Sequence, residues 1–332
     1  MEKFSKFFDY SAIDRNIGWR LETIRSRKKD AAILGAGKRP NHCPVCGNTE
    51  QDELIGIYGF NYVICSSCTL VYLNAIPDDE VLGAFYRQDS ENLAKSPGDD
   101  LIHTDAFMQR VDAICTPKVE FVQSVLEKPV GRWVDLGCGV GDLVYAASQK
   151  GIDAKGFDID PREIAHGQAM GSSVSCLEVN QSTAADVLAD ASVVSFISVL
   201  EHVPDCAALL SMAVSNADQD TSFVLEVPRF ESVSSLVNMN FPDMISRHML
   251  PPNHIMLFTE TAFDNLLAKA GLERVATWYY GMDINELLGT LMLNVPSNRL
   301  NLEPLKSKLN EMQYILDEAK LCDEMLVVCR KV

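Results

Sequence analysis

The sequence predicts an α/β fold, a doubly wound sheet of about seven strands with helices on both faces and smaller additions before it. Three observations carry this prediction. From Arg132 onward, short apolar runs alternate with segments whose apolar residues recur at helical spacing. The run 192–199 is mostly apolar, as in strands that are buried on both faces of a parallel sheet. A glycine-rich turn at 137–141 joins the first strand to the first helix.

The predicted elements follow one another from Arg132 to the C-terminus. Strands are predicted over residues 132–136, 154–157, 174–179, 192–199, 222–227, 273–280 and 325–329. Helices are predicted over residues 142–150, 162–170, 261–270 and 301–320. In the last helix, an apolar stripe from Leu302 through Leu305, Leu309 and Met312 to Leu316 predicts burial against the core, and a homodimer contact is the alternative.

The first 130 residues have a different pattern. Helix is predicted over 1–37, and the glycines and proline of 35–40 indicate a linker. Residues 41–75 contain two pairs of cysteines, and residues 77–127 are predicted to be mainly helical with a loop at 96–100. The predicted organisation is an N-terminal helical segment (1–40), a cysteine-bearing ribbon (41–75), a helical linker or lid (76–130) and the main domain (131–332).

Charge and hydropathy narrow the classes of function. The 332-residue chain has a net charge of −17, with 46 acidic and 29 basic residues. Nucleic-acid binding depends on Lys and Arg that neutralise phosphates, so this composition disfavours a nucleic-acid partner. No apolar run approaches the roughly 20 residues that cross a bilayer, and no signal peptide follows Lys3 and Lys6. We therefore expect a soluble, cytoplasmic protein that acts on a small molecule and not at a membrane.

A nucleotide-like ligand is predicted at the turn after the first strand, which reads GCGVG over 137–141. Glycines let the backbone turn sharply and approach a ligand that a Cβ would exclude, and the next helix offers unpaired N–H groups. Asp158 follows about 20 residues later, at the tip of the second strand, where a carboxylate accepts both hydroxyls of a ribose. The turn lacks the third glycine of a dinucleotide site, because Asp142 occupies that position.

Three segments in order give a family resemblance. The segments VDLGCGVGD (134–142), GFDID (156–160) and VLEHVPD (199–205) resemble motifs of the class I S-adenosylmethionine-dependent methyltransferases, over about residues 110–280. The resemblance implies a Rossmann-like fold, methyltransferase activity and S-adenosyl-L-methionine as the cofactor. It also implies a cofactor site formed by Asp135, Gly137, Cys138, Gly139, Gly141, Asp158, Ile159, Ser198 and Val199. In such a site Asp158 accepts from the ribose hydroxyls, Ile159 flanks the adenine and Asp135 orders the glycine turn.

Two C-x-x-C pairs predict a metal site. Eighteen residues separate Cys43 and Cys46 from Cys65 and Cys68, a spacing typical of two knuckles that bind one zinc ion. Four thiolates complete the coordination of the ion, so the zinc is predicted to be structural. A zinc-binding segment before methyltransferase motifs resembles the bacterial sugar C-methyltransferases and related proteins of polysaccharide and natural-product clusters.

Two histidines are the predicted catalytic residues. Methyl transfer from a sulfonium needs a positioned nucleophile and a group that takes its proton, and near neutral pH that group is most often His. His202 follows the fourth strand, at the edge where α/β sheets bind ligands. His254 lies in the segment PPNHIMLF after the fifth strand. For each of these histidines the alternative is a structural role, in which its hydrogen bond holds a loop in place.

The sequence thus predicts an enzyme that methylates a small-molecule acceptor, which the resemblance narrows to a sugar or nucleotide sugar. Methylation of RNA or protein is one alternative, and it requires a basic groove beside the cofactor. A protein that binds S-adenosylmethionine without turnover is another. The acceptor atom stays open.

Overall fold

The computed structural model describes residues 1–5, 17–37, 40–87, 104–293, 305 and 308–332. Its strands are β1 Glu2–Phe4, β2 Gln51–Ile57, β3 Phe60–Cys65, β4 Val71–Leu73, β5 Arg132–Leu136, β6 Asp153–Asp158, β7 Val174–Cys176, β8 Val193–Ile197, β9 Ser222–Pro228, β10 Met256–Leu257, β11 Leu272–Tyr280 and β12 Glu324–Lys331. Its α-helices are α1 Ile17–Leu34, α2 Asp79–Arg87, α3 Thr104–Arg110, α4 Thr116–Val125, α5 Asp142–Gln149, α6 Pro161–Ala169, α7 Ala184–Leu188, α8 Cys206–Asn216, α9 Val233–Asn240, α10 Glu260–Ala270, α11 Asp283–Leu293 and α12 Leu309–Glu318. One π-helical turn, Val111–Cys115, joins α3 to α4.

The large sheet has eight strands in the order β7-β6-β5-β8-β9-β12-β11-β1. Strands β6, β5, β8 and β9 are parallel, and β12 is antiparallel to both of its neighbours. The chain passes outward from β5 to β6 and β7, then returns to the other side of β5 at β8. The carboxyl end of β5 is therefore the switch point at which open α/β sheets bind ligands, and it bears the glycine turn.

The predicted doubly wound α/β fold is confirmed, with one strand more than expected. Strand β1 pairs in parallel with β11, so the helix predicted over 1–37 is wrong at its start, and α1 begins at Ile17. Residues 6–16 lie outside the described residues. Tertiary contacts explain the extended conformation, because the Phe4 ring stacks on Tyr279 and the Lys3 ammonium lies 3.7 Å from the Trp278 ring centre.

The central strands are buried on both faces, which accounts for their apolar sequence. Along β5, Trp133 enters the core packed with α4 and α5, whereas Val134 enters the core on the opposite face. The core on the Val134 face of the large sheet continues into a four-stranded sheet in the order β10-β4-β3-β2. Strand β10 comes from the segment after β9, so this small sheet joins the cysteine-bearing ribbon to the main domain.

Leu302 and the predicted loop at 96–100 lie outside the described residues. The helix predicted over 301–320 is observed as α12. Its buried positions are Gln313 and Asp317, while Leu309, Met312 and Leu316 are only half-buried. The Gln313 amide donates to Asp283 at 2.9 Å and to Asp317 at 2.9 Å. The predicted apolar stripe is therefore not the main packing face, because hydrogen-bonded polar groups hold this helix. None of the described helices is long and apolar enough to cross a bilayer.

Candidate active site

The glycine turn closes against the end of β6. Gly137, Gly139 and Gly141 have φ angles of +73°, +53° and +71°, which side chains rarely adopt. The Gly137 N–H donates to the Phe157 carbonyl at 2.8 Å and holds the turn on the neighbouring strand. A Cβ at Gly137 would lie 2.5 Å from Val199 Cγ2. The turn therefore needs glycine both for its conformation and for the approach of Val199.

We expect Gly137→Ala to destabilise the fold and to weaken cofactor binding. The positive φ costs about 1–3 kcal/mol for a residue with a side chain, and the contact with Val199 adds to that cost. Gly151→Ala is the matched control, because Gly151 has a φ of +80° with no atom within 4 Å of an added Cβ. Urea unfolding of both variants separates the cost of the positive φ from the cost of the contact with Val199. Equal losses in the two variants would show that Val199 imposes no constraint.

Asp158, at the end of β6, faces the glycine turn. One carboxylate oxygen accepts from the Gly139 N–H at 2.8 Å, and the other accepts from the Asp160 N–H at 3.0 Å. Asp160 caps α6 by accepting from the Arg162 N–H at 2.8 Å. Ile159 lies between the two carboxylates and is half-buried. These bonds fix the Asp158 carboxylate beside the glycine turn.

Two predicted cofactor residues, Asp135 and Cys138, are buried. Asp135 is buried in β5 and accepts from the Ser195 hydroxyl at 2.5 Å, and burial raises the pKa of Asp135 to about 7. Its hydrogen bond joins β5 to β8 and does not reach the glycine turn. Cys138 is buried with its sulfur close to Gly156, so it packs the turn onto β6.

Strand β8 ends at a sharp turn beneath the glycines. Ser198 has a φ of +53°, and its hydroxyl donates to Glu226 at 3.1 Å. The same buried carboxylate forms an ion pair with Lys118 at 2.6 Å and accepts from the Tyr280 hydroxyl. Val199 follows and packs against Gly137. The structure therefore places Val199 against the glycine turn with Ser198 directly before it in the chain, and their contact with a cofactor stays a prediction.

Sequence reasoning missed two cations near this turn. Lys118 pairs with Glu226, and Arg110 pairs with Asp142 at the start of α5 at 2.7 Å. Burial opposes ionisation of Asp142, but the charge and hydrogen bond of Arg110, together with the charge of Lys118 and the Leu143 N–H, lower the pKa of this carboxyl below its usual value. Each partner is more than thirty positions away in the sequence, so no local pattern could have revealed the pair.

His202 and His254 meet beyond the end of β8, with ring centres 4.7 Å apart and rings perpendicular. The Asn253 carbonyl accepts from His202 Nδ1 at 2.8 Å and from the Tyr86 hydroxyl at 3.3 Å. Burial lowers the pKa of His202 to about 4 and the pKa of His254 well below its usual value. Both imidazoles are therefore neutral at pH 7 and offer nitrogen lone pairs.

The small sheet holds the backbone around His254. The Tyr62 hydroxyl of β3 donates to the His254 carbonyl at 2.6 Å, and the Leu73 N–H donates to the Ile255 carbonyl at 2.9 Å. On the other side, the Ile255 N–H donates to the Glu201 carbonyl at 2.7 Å. His254 thus sits between the cysteine-bearing ribbon and the turn that follows β8.

The four predicted metal ligands converge. The Cys43 and Cys68 sulfurs are 3.6 Å apart, the Cys46 and Cys65 sulfurs are 3.5 Å apart, and all four lie within 4.8 Å of one another. Four thiolates around a tetrahedral zinc, with bonds of about 2.3 Å, are separated by about 3.8 Å. The donor set and its spacing therefore fit a closed zinc site.

Comparison with known proteins agrees with this geometry. The sequence model of a methyltransferase domain family matches residues 107–277, more than half of the chain. A ubiquinone biosynthesis O-methyltransferase of Methylococcus capsulatus is 28% identical over 116 residues, and the match covers 32% of this chain and 47% of that protein. The match therefore spans about half the length of that relative.

Solved structures of methyltransferases are also similar. An S-adenosylmethionine-dependent methyltransferase from Archaeoglobus fulgidus has a TM-score of 0.45 and 19% identity, covering 65% of this chain and 92% of its own. A magnesium protoporphyrin IX methyltransferase from Synechocystis PCC 6803 has a TM-score of 0.47 and 16% identity, covering 77% of this chain and 100% of its own.

Proposed function

Because this chain belongs to the methyltransferase domain family, we propose that it transfers a methyl group from S-adenosylmethionine to a hydroxyl-bearing small molecule. The observation that carries the proposal is the meeting of the glycine turn, Asp158 and Val199 at the switch point of the sheet. Ligands of open α/β folds bind at this point.

The described residues around the turn fit the cofactor. The glycines leave the backbone without side chains on the ligand side, and Val199 forms the floor beneath Gly137. Each Asp158 oxygen accepts one backbone N–H and keeps a further lone pair, so the carboxylate can still accept from two ribose hydroxyls. Ile159 supplies an apolar contact for the adenine. When bound, S-adenosylmethionine supplies an electrophilic methyl group on a sulfonium.

The acceptor side supports a small polar substrate. Buried side chains surround the His202–His254 pair, and several of their polar atoms have no hydrogen-bond partner among the described residues, including both amide atoms of Asn253 and Glu201 Oε2. Buried polar groups are normally satisfied, so an acceptor with hydroxyl groups suits this site. The relative's name specifies O-methylation, and the net charge of −17 disfavours RNA. A sugar or nucleotide sugar is the acceptor class we favour.

In the proposed reaction a lone pair of the acceptor attacks the methyl carbon, and the C–S bond breaks with its electrons left on sulfur. The acceptor hydroxyl loses its proton to solvent water as the new O–CH3 bond forms. The chain's own contribution is to align the two reactants, which can account for much of the acceleration. His202, His254 and Tyr86 contact the acceptor in this proposal, and their neutral nitrogens and hydroxyl orient its oxygen atoms.

A product assay tests the function. Release of S-adenosylhomocysteine is measured with nucleotide sugars, phenolic acids and unmodified RNA as separate acceptors. We expect turnover with a small-molecule acceptor and none with RNA. Turnover with RNA would replace the small-molecule proposal, and tight cofactor binding without turnover on any acceptor would favour a binding protein.

We expect His254→Asn to reduce kcat by about 10²–10⁴-fold, the range for loss of a group that acts on the reacting proton or oxygen. The affinity for S-adenosylmethionine should change less than threefold, because His254 does not reach the glycine turn. His42→Asn, which changes an exposed histidine, is the control and should retain wild-type kcat. Steady-state kinetics with calorimetry of cofactor binding make the measurement. Unchanged kcat in His254→Asn would remove this residue from the acceptor site.

We also infer that the four thiolates hold a structural zinc. The donor set is closed, so no ligand position is free for catalysis. The ribbon is too small for a core of its own, and metal binding would contribute to its folding.

A further inference from the structure

Glu201 is a buried carboxylate with no Lys or Arg partner among the described residues. Its side chain is 1% exposed, and Oε2 has no hydrogen-bond partner in the part of the chain that the structure describes. Neighbouring buried carboxylates are paired, Glu226 with Lys118 at 2.6 Å and Glu324 with Arg247 at 2.8 Å. The one basic group within 4 Å of Glu201 in the described part of the chain is His202, whose Nε2 lies 3.8 Å from Oε1. An isolated buried carboxylate is costly, so this one requires a proton or a cation.

Each of the two histidines beside Glu201 has a ring nitrogen within 4.8 Å of a Glu201 carboxylate oxygen. Nδ1 of His202 bonds to the Asn253 carbonyl at 2.8 Å, which leaves Nε2 as the free acceptor on the Glu201 side. Histidines that bind metals are oriented by this kind of bond to a carbonyl. Nδ1 of His254 is buried and has no partner among the described residues. One ligand atom from each of the three residues lies within 4.8 Å of the others.

We propose that Glu201, His202 and His254 bind a divalent cation. Two imidazoles and a carboxylate suit Zn²⁺, Fe²⁺, Co²⁺ and Mn²⁺. Ligand atoms around such an ion lie about 3–4 Å apart. The ligand atoms of the three residues, which lie within 4.8 Å of one another, therefore need to approach one another only slightly to bind the ion. Three protein ligands leave positions open, as in sites where a metal ion meets a substrate.

The proposed cation restricts the chemical class of the acceptor, and this step of the inference rests on the proposed function. The site directly follows Val199, the residue after β8 that packs against Gly137, so an ion there would lie on the acceptor side of the methyl group. Its open positions would take two neighbouring oxygen atoms of the acceptor, as in the vicinal diol of a sugar. A bound hydroxyl releases its proton to water more readily, since a cation stabilises the oxyanion.

Manganese is the probe, because hard Mn²⁺ binds poorly to the four thiolates. Mn²⁺ is titrated into the purified full chain, and loss of the free-ion electron paramagnetic resonance signal reports binding. We expect one site per wild-type chain. Glu201→Gln and His254→Asn should each weaken binding at least tenfold. Glu127→Gln, which changes an exposed carboxylate, should bind as the wild type does.

Thermal unfolding of the same proteins gives a second measurement. Without metal, Glu201→Gln should be at least as stable as the wild type, because it removes an unpaired buried charge. With Mn²⁺, the wild-type Tm should rise and the variant Tm should not. Cofactor affinity is measured by calorimetry in parallel, so that the two proposals can fail separately. A chain that binds S-adenosylmethionine but no Mn²⁺, or a Glu201→Gln variant that binds Mn²⁺ like the wild type, overturns the metal site alone.

Discussion

Asp158→Ala should lower the affinity for S-adenosylmethionine by at least about a hundredfold. In the proposed complex the carboxylate accepts two ribose hydroxyls, and hydrogen bonds to a charged group contribute about 1.5–3 kcal/mol each. The same substitution removes the acceptors of the Gly139 and Asp160 N–H groups. The turn then loses part of its support as well as its ribose contact. Isothermal titration calorimetry measures the loss.

Asp153→Ala is the matched control, because Asp153 is an exposed carboxylate at the opposite end of β6. Its affinity for the cofactor should equal that of the wild type. Asp158→Asn retains one carbonyl oxygen and should give an intermediate affinity. If Asp158→Ala bound the cofactor as tightly as Asp153→Ala, the ribose would not lie at this carboxylate and the cofactor assignment would fall.

The parts of this site that could be predicted are those encoded by short segments. The glycine turn and Asp158 lie in two neighbouring strand–helix units, so strand pattern and spacing suffice to bring them together. The cysteine pairs are similar, because each knuckle is a local turn and the four thiols share one chemistry. Strand β5 was predicted with its observed bounds, since burial on both faces leaves a strong apolar signal.

The parts that could not be predicted depend on contacts between distant segments. Strand β1 is extended because of β11, and nothing in residues 1–5 indicates that partner. Glu201 lies in the segment VLEHVPD, but its position beside His254, more than fifty positions later in the sequence, is seen only in the fold. A sequence pattern does not show whether a carboxylate is buried or which basic groups lie near it.

Cys43→Ser should remove zinc and reduce kcat while leaving cofactor affinity nearly intact. The ribbon bears Tyr62, whose hydroxyl holds the His254 carbonyl, and β4, which pairs with β10. Structural zinc in small peptides contributes more than 10 kcal/mol of apparent binding free energy, so its loss should unfold the ribbon. The glycine turn lies on a different sheet and should persist. The affected step is therefore acceptor positioning, not cofactor binding.

Zinc per chain by mass spectrometry, thermal unfolding and steady-state kinetics test this coupling. The wild type should contain one zinc held by the cysteines, and Cys43→Ser less than a tenth of it. Cys176→Ser, at an exposed cysteine outside the cluster, should retain the zinc. Tyr62→Phe tests the contact between the ribbon and His254 by itself, because it removes only the hydroxyl that donates to the His254 carbonyl. This variant should have a lower kcat and should retain its zinc. Wild-type kcat in Tyr62→Phe would mean that the ribbon stabilises the fold without positioning His254, and a wild type free of zinc would refute the metal assignment itself.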